Sequence, residues 1–224
     1  MVHGVVQVAG VRSVAEARML LGLGADLVGI PLCLAYHQPD VDEATAAAIV
    51  AALGRERAVL ITYATDPETL VGLCQRLGVG WVQLHGQVVP QTVDVVRQRV
   101  SVQVIKSYVV GLQTGGMHAF VEAFAPVCTA FLTDTYDPRT GAAGATGRVH
   151  DWDVSRALVE ISPLPVILAG GLSPGNVEQA IAVVRPAGVD AHTGLEDESG
   201  DKDPCLVRAF VRKAKEAFAR MEEA

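Results

Sequence analysis

Eight short apolar runs alternate with segments that are apolar at helical spacing, and this alternation limits the chain to very few folds. The runs are Val5 to Ala9, Leu27 to Ile30, Ala58 to Tyr63, Trp81 to Leu84, Val102 to Lys106, Thr129 to Leu132, Val166 to Leu168 and Val189 to His192. Short aliphatic runs without polar alternation suit parallel strands buried on both faces. The segments between them carry helix-start residues: Ser13, Asp42, Asp66-Pro67 and Pro90. Further helices are expected around His118 to Phe124, over Trp152 to Glu160 and over Asn176 to Val183, with a closing amphipathic helix from Pro204 to Met221. Strand and helix alternating eight times, with no linker and no change of composition, predicts one α/β domain over residues 1–224, a single (β/α)8 TIM barrel. A doubly wound open sheet is the alternative.

Two stretches break the rhythm. Gly111, Gly115 and Gly116 predict a loop before the short helix at His118. Asp134 to Asp151 reads as a long loop rich in Gly, Ala and Thr, and a loop of that length in a compact domain is usually functional or mobile.

Composition narrows the function. Hydrophobic residues make up 50% of the chain and aromatics only 5%, so the core must be Val, Leu, Ile and Ala. The net charge of -7, with no Lys/Arg cluster, argues against a nucleic-acid surface. No apolar run spans a bilayer, and Met1 to Gly4 lacks a signal-peptide pattern, so a cytoplasmic protein is expected. Cys33, Cys74, Cys128 and Cys205 are widely spaced and read as reduced thiols. No His, Cys, Asp or Glu cluster has ligand spacing, so neither a metal nor an organic cofactor is expected. Monomer and homodimer both remain open.

In a barrel of this kind, ligand contacts come from the C-terminal ends of the strands and the loops after them. That rule selects Gln7, Cys33, Tyr63, His85, Lys106, Asp134, Asp151, His192 and Thr193. After the seventh strand, Ala169-Gly170-Gly171-Leu172-Ser173-Pro174 reads as a glycine turn, with Ser173 as N-cap and Pro174 at the first helical position. Amides at such a helix start suit an anion. Phosphate commonly sits between the loops after strands seven and eight, and here those loops carry Gly170-Gly171 and Thr193-Gly194. Gly144 and Gly147, in the sixth loop, are further backbone-donor candidates. A P-loop is excluded, because Gly-Lys-Ser/Thr is missing.

Several stretches carry a more specific likeness. They are Val82-Gln83-Leu84-His85-Gly86, Leu132-Thr133-Asp134-Thr135, Gly144-Ala145-Thr146-Gly147-Arg148, Asp151-Trp152, Leu168 to Val177, Val189 to Glu196 and Gly200 to Asp203. In order and over nearly the whole chain, the sequence resembles the phosphoribosylanthranilate isomerase family. The resemblance implies a (β/α)8 barrel of the tryptophan-biosynthesis type. Such an enzyme performs an Amadori rearrangement on a phosphorylated sugar, turning an aminoaldose into an aminoketose. It implies Asp134 as the acid that protonates the ring oxygen. It also implies phosphate and substrate contacts from Gly144, Gly147, Gly170, Gly171, Thr193, Gly194 and His85.

The chain departs from the family pattern at the first strand. There the family has Lys-Ile-Cys-Gly, with the Cys as the base that removes the C2 proton; here the segment is Gln7-Val8-Ala9-Gly10. Ala9 cannot accept a proton, and Gln7 stands in the place of the Lys. The family's Ser-x-Arg element after the second strand is also missing, since Leu34 to Pro39 contains no Arg. A general base is worth roughly 10²–10⁴ in rate, or about 3–5 kcal/mol. Cys33, at the end of the neighbouring strand, is the first candidate for a substitute, with His37 and His85 behind it. His192 stands where the family usually has a small residue, and there it would crowd the phosphate or add a donor. The expected function is therefore an isomerase of this type with its base relocated. The alternatives are an enzyme for a different sugar phosphate and a protein that binds a phosphoribosyl metabolite without turning it over.

Overall fold

A computed structural model of the protein describes residues 3–33, 41–112, 115–137, 142–143 and 149–223. Its parallel strands are β1 (Val5–Ala9), β2 (Leu27–Pro31), β3 (Ala58–Thr62), β4 (Trp81–Leu84), β5 (Gln103–Val110), β6 (Ala130–Asp137), β8 (Val166–Leu168) and β9 (Gly188–Ala191). The sheet runs β5-β4-β3-β2-β1-β9-β8-β6 and closes through β5–β6 pairing. Closure excludes the open doubly wound sheet. One addition is a two-residue strand, β7 (Ala142–Ala143), which pairs antiparallel with the end of β6.

The helices are α1 (Val14–Gly22), α2 (Glu43–Leu53), α3 (Pro67–Leu77), α4 (Pro90–Arg99), α5 (Met117–Phe124), α6 (Trp152–Ile161), α7 (Val177–Val184) and α8 (Pro204–Glu222). Their starts follow the sequence. Ser13 accepts from Glu16 N at 3.1 Å, Asp42 from Thr45 N at 2.6 Å and Asp66 from Thr69 N at 2.8 Å, each filling an orphan amide of the first turn. Among the described residues no helix is long and apolar enough to cross a membrane.

Alternation along each strand divides the core in two. A small inner cluster includes Leu27, Val59, Ile61, Ile105, Leu132 and Ile167. A larger layer between strands and helices includes Val28, Leu60, Val104, Phe131 and Leu168. The barrel is thus filled by side chains, and a cleft opens at its C-terminal mouth.

Three expectations need correction. The loop predicted from Asp134 starts later, because β6 continues to Asp137 and β5 to Val110. These two strands pair through Val109↔Asp134 and Val110↔Thr135, so neighbouring ladder bonds extend both past the apolar runs that mark them in sequence. Ser173 does not cap a helix. α7 begins at Val177, and Ser173 to Asn176 form a turn in which Ser173 Oγ accepts from Gly175 N at 3.2 Å and Asn176 Oδ1 from Ser173 N at 2.8 Å. Lys106 does not face the mouth. Between inward Ile105 and Ser107 it projects to the helix layer, 5.6 Å from the Phe124 ring centroid. There its ammonium donates to the carbonyls of Leu84, Gly86 and Ser107 at 3.2, 3.2 and 2.9 Å, and burial pulls its pKa down to about 8.

Candidate active site

The barrel mouth holds a cleft of about 650 Å³, counting its opening to solvent. Its polar lining comes from four strands: Gln83 and His85 at β4, Tyr63 after β3, Asp134 on β6, and Asp190, His192 and Thr193 at β9. Gly10, Gly170 and Gly171 supply bare backbone.

Asp134 sits at the inward position of β6 above Leu132, and it is buried. Its Oδ1 accepts from the amide of Thr135 at 2.7 Å. Its Oδ2 lies 3.2 Å from Nε2 of His85, across the cleft on β4. The other face of that imidazole is engaged too: Nδ1 lies 2.8 Å from Ser107 Oγ and 3.2 Å from Gln83 Nε2. Gln83 in turn accepts from Gln7 Nε2 through Oε1 at 2.8 Å, which turns its NH2 toward His85. An amide nitrogen only donates, so Nδ1 is the acceptor and the His85 proton is on Nε2, aimed at Asp134. Gln7, Gln83, His85 and Asp134 form one directed hydrogen-bond chain across the barrel.

Asp190 lies beside this chain. Burial, then the nearby Asp134 charge, push its carboxyl up to about 7 against the opposing pull of Gln7 and Lys202. One oxygen of Asp190 and the Gln7 carbonyl oxygen are both buried without a partner. Burial with one oxygen unpartnered favours the protonated form of the Asp190 carboxyl.

The rim is built from the turns after β8 and β9. Gly170 and Gly171 have φ of +91° and +66°, in the left-handed region that suits glycine. A Cβ on Gly170 would strike Thr135 Oγ1, whose hydroxyl also bonds Nδ1 of His150 at 2.9 Å. The far nitrogen of His150 reaches Ser155 Oγ at 2.5 Å, and burial lowers the pKa of this histidine. A Cβ on Gly194 would strike the carbonyl oxygen of Leu172, so the two turns lie directly against each other. After β9 the chain forms a 3-10 turn, Thr193–Leu195. Below it Glu196 accepts from His192 Nε2 at 3.1 Å and from Lys202 Nζ at 2.7 Å. Burial raises the Glu196 pKa, but these two partners outweigh it and hold the carboxylate at about 2.

The structure therefore gathers Asp134, His85, Gly170, Gly171 and Thr193 at the cleft, with Gly194 packed just behind. Gln7 lies one layer deeper, reaching the cleft through Gln83. Cys33 is exposed, has φ +58° and is not among the cleft-lining residues. Asp151 caps α6, accepting from Asp153 N at 3.0 Å. Gly144, Gly147 and His37 lie outside the described residues. Sequence reasoning passed over Gln83, Ser107, His150 and Asp190. Two of them carried a usable signal, since Gln83 and Asp190 stand two residues before His85 and His192 and so share their inward face. Among the described residues no group of three or more His, Cys, Asp or Glu could hold a metal ion.

Comparison with known proteins gives the family and the fold. The family described as N-(5'phosphoribosyl)anthranilate (PRA) isomerase matches residues 32–213. N-(5'-phosphoribosyl)anthranilate isomerase 2 of Methanosarcina mazei is 38% identical over 223 residues, covering 96% of each chain. N-(5'-phosphoribosyl)anthranilate isomerase of Desulforudis audaxviator is 37% identical and covers 95% of this chain and 98% of its own. The solved structure of the Pyrococcus furiosus isomerase superposes with a TM-score of 0.78 at 27% identity, covering 96% of this chain and all of the other. By identity, coverage and fold together, the chain belongs to the phosphoribosylanthranilate isomerase family.

Proposed function

We propose that the protein isomerises N-(5'-phosphoribosyl)anthranilate, an aminoaldose phosphate, to the corresponding aminoketose, a step of tryptophan biosynthesis. One observation carries the reading: a buried carboxyl, Asp134, shares a cleft with two abutting glycine turns, as a reaction that protonates one end of a phosphorylated sugar requires. Asp134 gives its proton to the ring oxygen. The C1–O bond breaks, and the anthranilate nitrogen's lone pair forms C1=N⁺. The His85 N–H then stabilises the carboxylate left behind. The phosphate sits between Gly170-Gly171 and Thr193-Gly194, where bare backbone allows close approach. Gly144 and Gly147, in the sixth loop, are further backbone-donor candidates for the substrate by their likeness to the family sequence. The substrate is a small phosphorylated molecule, and the chain works as a monomer or homodimer.

Ala9 and Gln7 favour a second reading, in which the barrel takes a different sugar phosphate or only binds one. Loss of the substrate's fluorescence on adding purified protein tests the first, with Asp134→Asn as control. Turnover that the control abolishes supports the isomerase. No turnover above the control removes that activity, and a screen of sugar phosphates for thermal stabilisation then identifies what is bound.

A further inference from the structure

Taking a proton from C2 of the opened sugar needs a base, and Ala9 offers none. The strand register places one beside it. Gln7 pairs with Asp190 and Val8 with Ala191, so His192 follows at the height of Ala9 on the adjacent strand. Gln7 and Asp190 form a deeper inward layer, while Ala9 and His192 form the layer at the mouth. The ring leans over the end of β1. A Cβ on Gly10 would collide with its Nε2, and Gly10, at φ +85°, leaves that space open. Ala9, Gly10, His192 and Asp134 all line the same cleft. Nε2 is 3.1 Å from Glu196, an oriented pairing of imidazole and carboxylate that puts the neutral ring's lone pair on Nδ1 and steadies the imidazolium once it forms. Among the described residues, Glu196 and Lys202 stand beside this ring, with Asp190 one layer below.

We propose that His192 is the base of the rearrangement, in place of a side chain at position 9; this rests on the isomerase reading. With the iminium formed, Nδ1 takes the C2 proton. The C2–H bonding pair becomes the C1=C2 bond, and the C=N π pair returns to nitrogen. The product of this step is a neutral enolamine, beside an imidazolium held on Glu196. Loss of the enol O–H proton and protonation at C1 complete the aminoketose. Nothing is oxidised or reduced overall, and the protons removed equal those returned.

The experiment is steady-state turnover of N-(5'-phosphoribosyl)anthranilate by wild type, His192→Gln and the double variant Ala9→Cys/His192→Gln, each across pH. His192→Gln is expected to lower kcat by roughly 10²–10⁴ with KM within a few-fold of wild type. The double variant, with a thiol on the neighbouring strand, is expected to recover at least tenfold of that loss. The acidic fall of the wild-type kcat profile, set by the ring, should be absent in the double variant. The proposal is overturned if His192→Gln keeps kcat within threefold, if its loss lies in KM alone, or if the double variant is no more active than His192→Gln. Turnover by wild type and His192→Gln alike sinks only the base assignment. Absence of turnover by wild type sinks the isomerase reading and the base together.

Discussion

Nε2 of His85 faces Oδ2 of Asp134 at 3.2 Å, and the ring is turned that way by contacts on its opposite nitrogen. Both side chains are buried, so the interaction is little screened. The pairing predicts a graded series. Asp134→Asn should abolish turnover, because an amide N–H is far too weak an acid to protonate the ring oxygen. His85→Ala should lower kcat roughly 10–100-fold, and Ser107→Ala, which removes one of two contacts on Nδ1, less than tenfold. Fluorescence kinetics on the three variants checks the order, and an unimpaired His85→Ala would contradict it.

Gly194 makes a separate prediction for the phosphate rim. Because a Cβ there meets the Leu172 carbonyl, Gly194→Ala must push the turns after β8 and β9 apart. KM should rise at least tenfold, about 1.4 kcal/mol, with kcat changed less, since the rim is remote from the reacting carbons. A loss confined to kcat would place the phosphate elsewhere.

Asp190 should carry a stability cost at neutral pH. Its pKa is about 7 in the folded protein against an ordinary 3.8, so the folded state binds the extra proton between those values. Stability from this group is complete below about pH 4 and falls as pH rises toward 7. Asp190→Asn should therefore raise the unfolding free energy at pH 8 by on the order of 2–4 kcal/mol and flatten the decline between pH 4 and 7. Urea unfolding of both proteins across that range is the measurement. A variant less stable than wild type at pH 8 would show the carboxylate to be satisfied.

Glu196 acts in the opposite sense. Its folded pKa of about 2 lies below the ordinary 4.5, so its contribution is present above pH 4.5 and is lost as pH falls toward 2. The span is worth up to about 3 kcal/mol. Glu196→Gln should lose most of that at pH 6, because Lys202 and His192 keep their places without their carboxylate, and the difference from wild type should shrink as pH falls toward 2. Parallel acid-unfolding curves for the two would refute the assignment.

The sequence by itself determined the barrel. Strand and helix positions follow from the apolar runs and from caps such as Asp42 and Asp66, which act locally and need no partner from elsewhere in the chain. It also placed Asp134, His85 and the two glycine turns at strand ends, which in a closed parallel barrel converge by topology alone. Tertiary structure decided which polar side chains meet. Lys106 and Ser107 are neighbours with opposite facing, and only the pairing of β5 with β4 and β6 sets which one turns inward. Ser173 looks like a cap in isolation, but the turn it forms with Asn176 delays the helix to Val177. The chain from Gln7 through Gln83 and His85 to Asp134 joins residues 127 apart in sequence, on three strands. So does the convergence of His192 on Gly10 depend on β1–β9 register, which no local pattern encodes, because hydrogen-bond geometry between distant strands exists only once the barrel has closed.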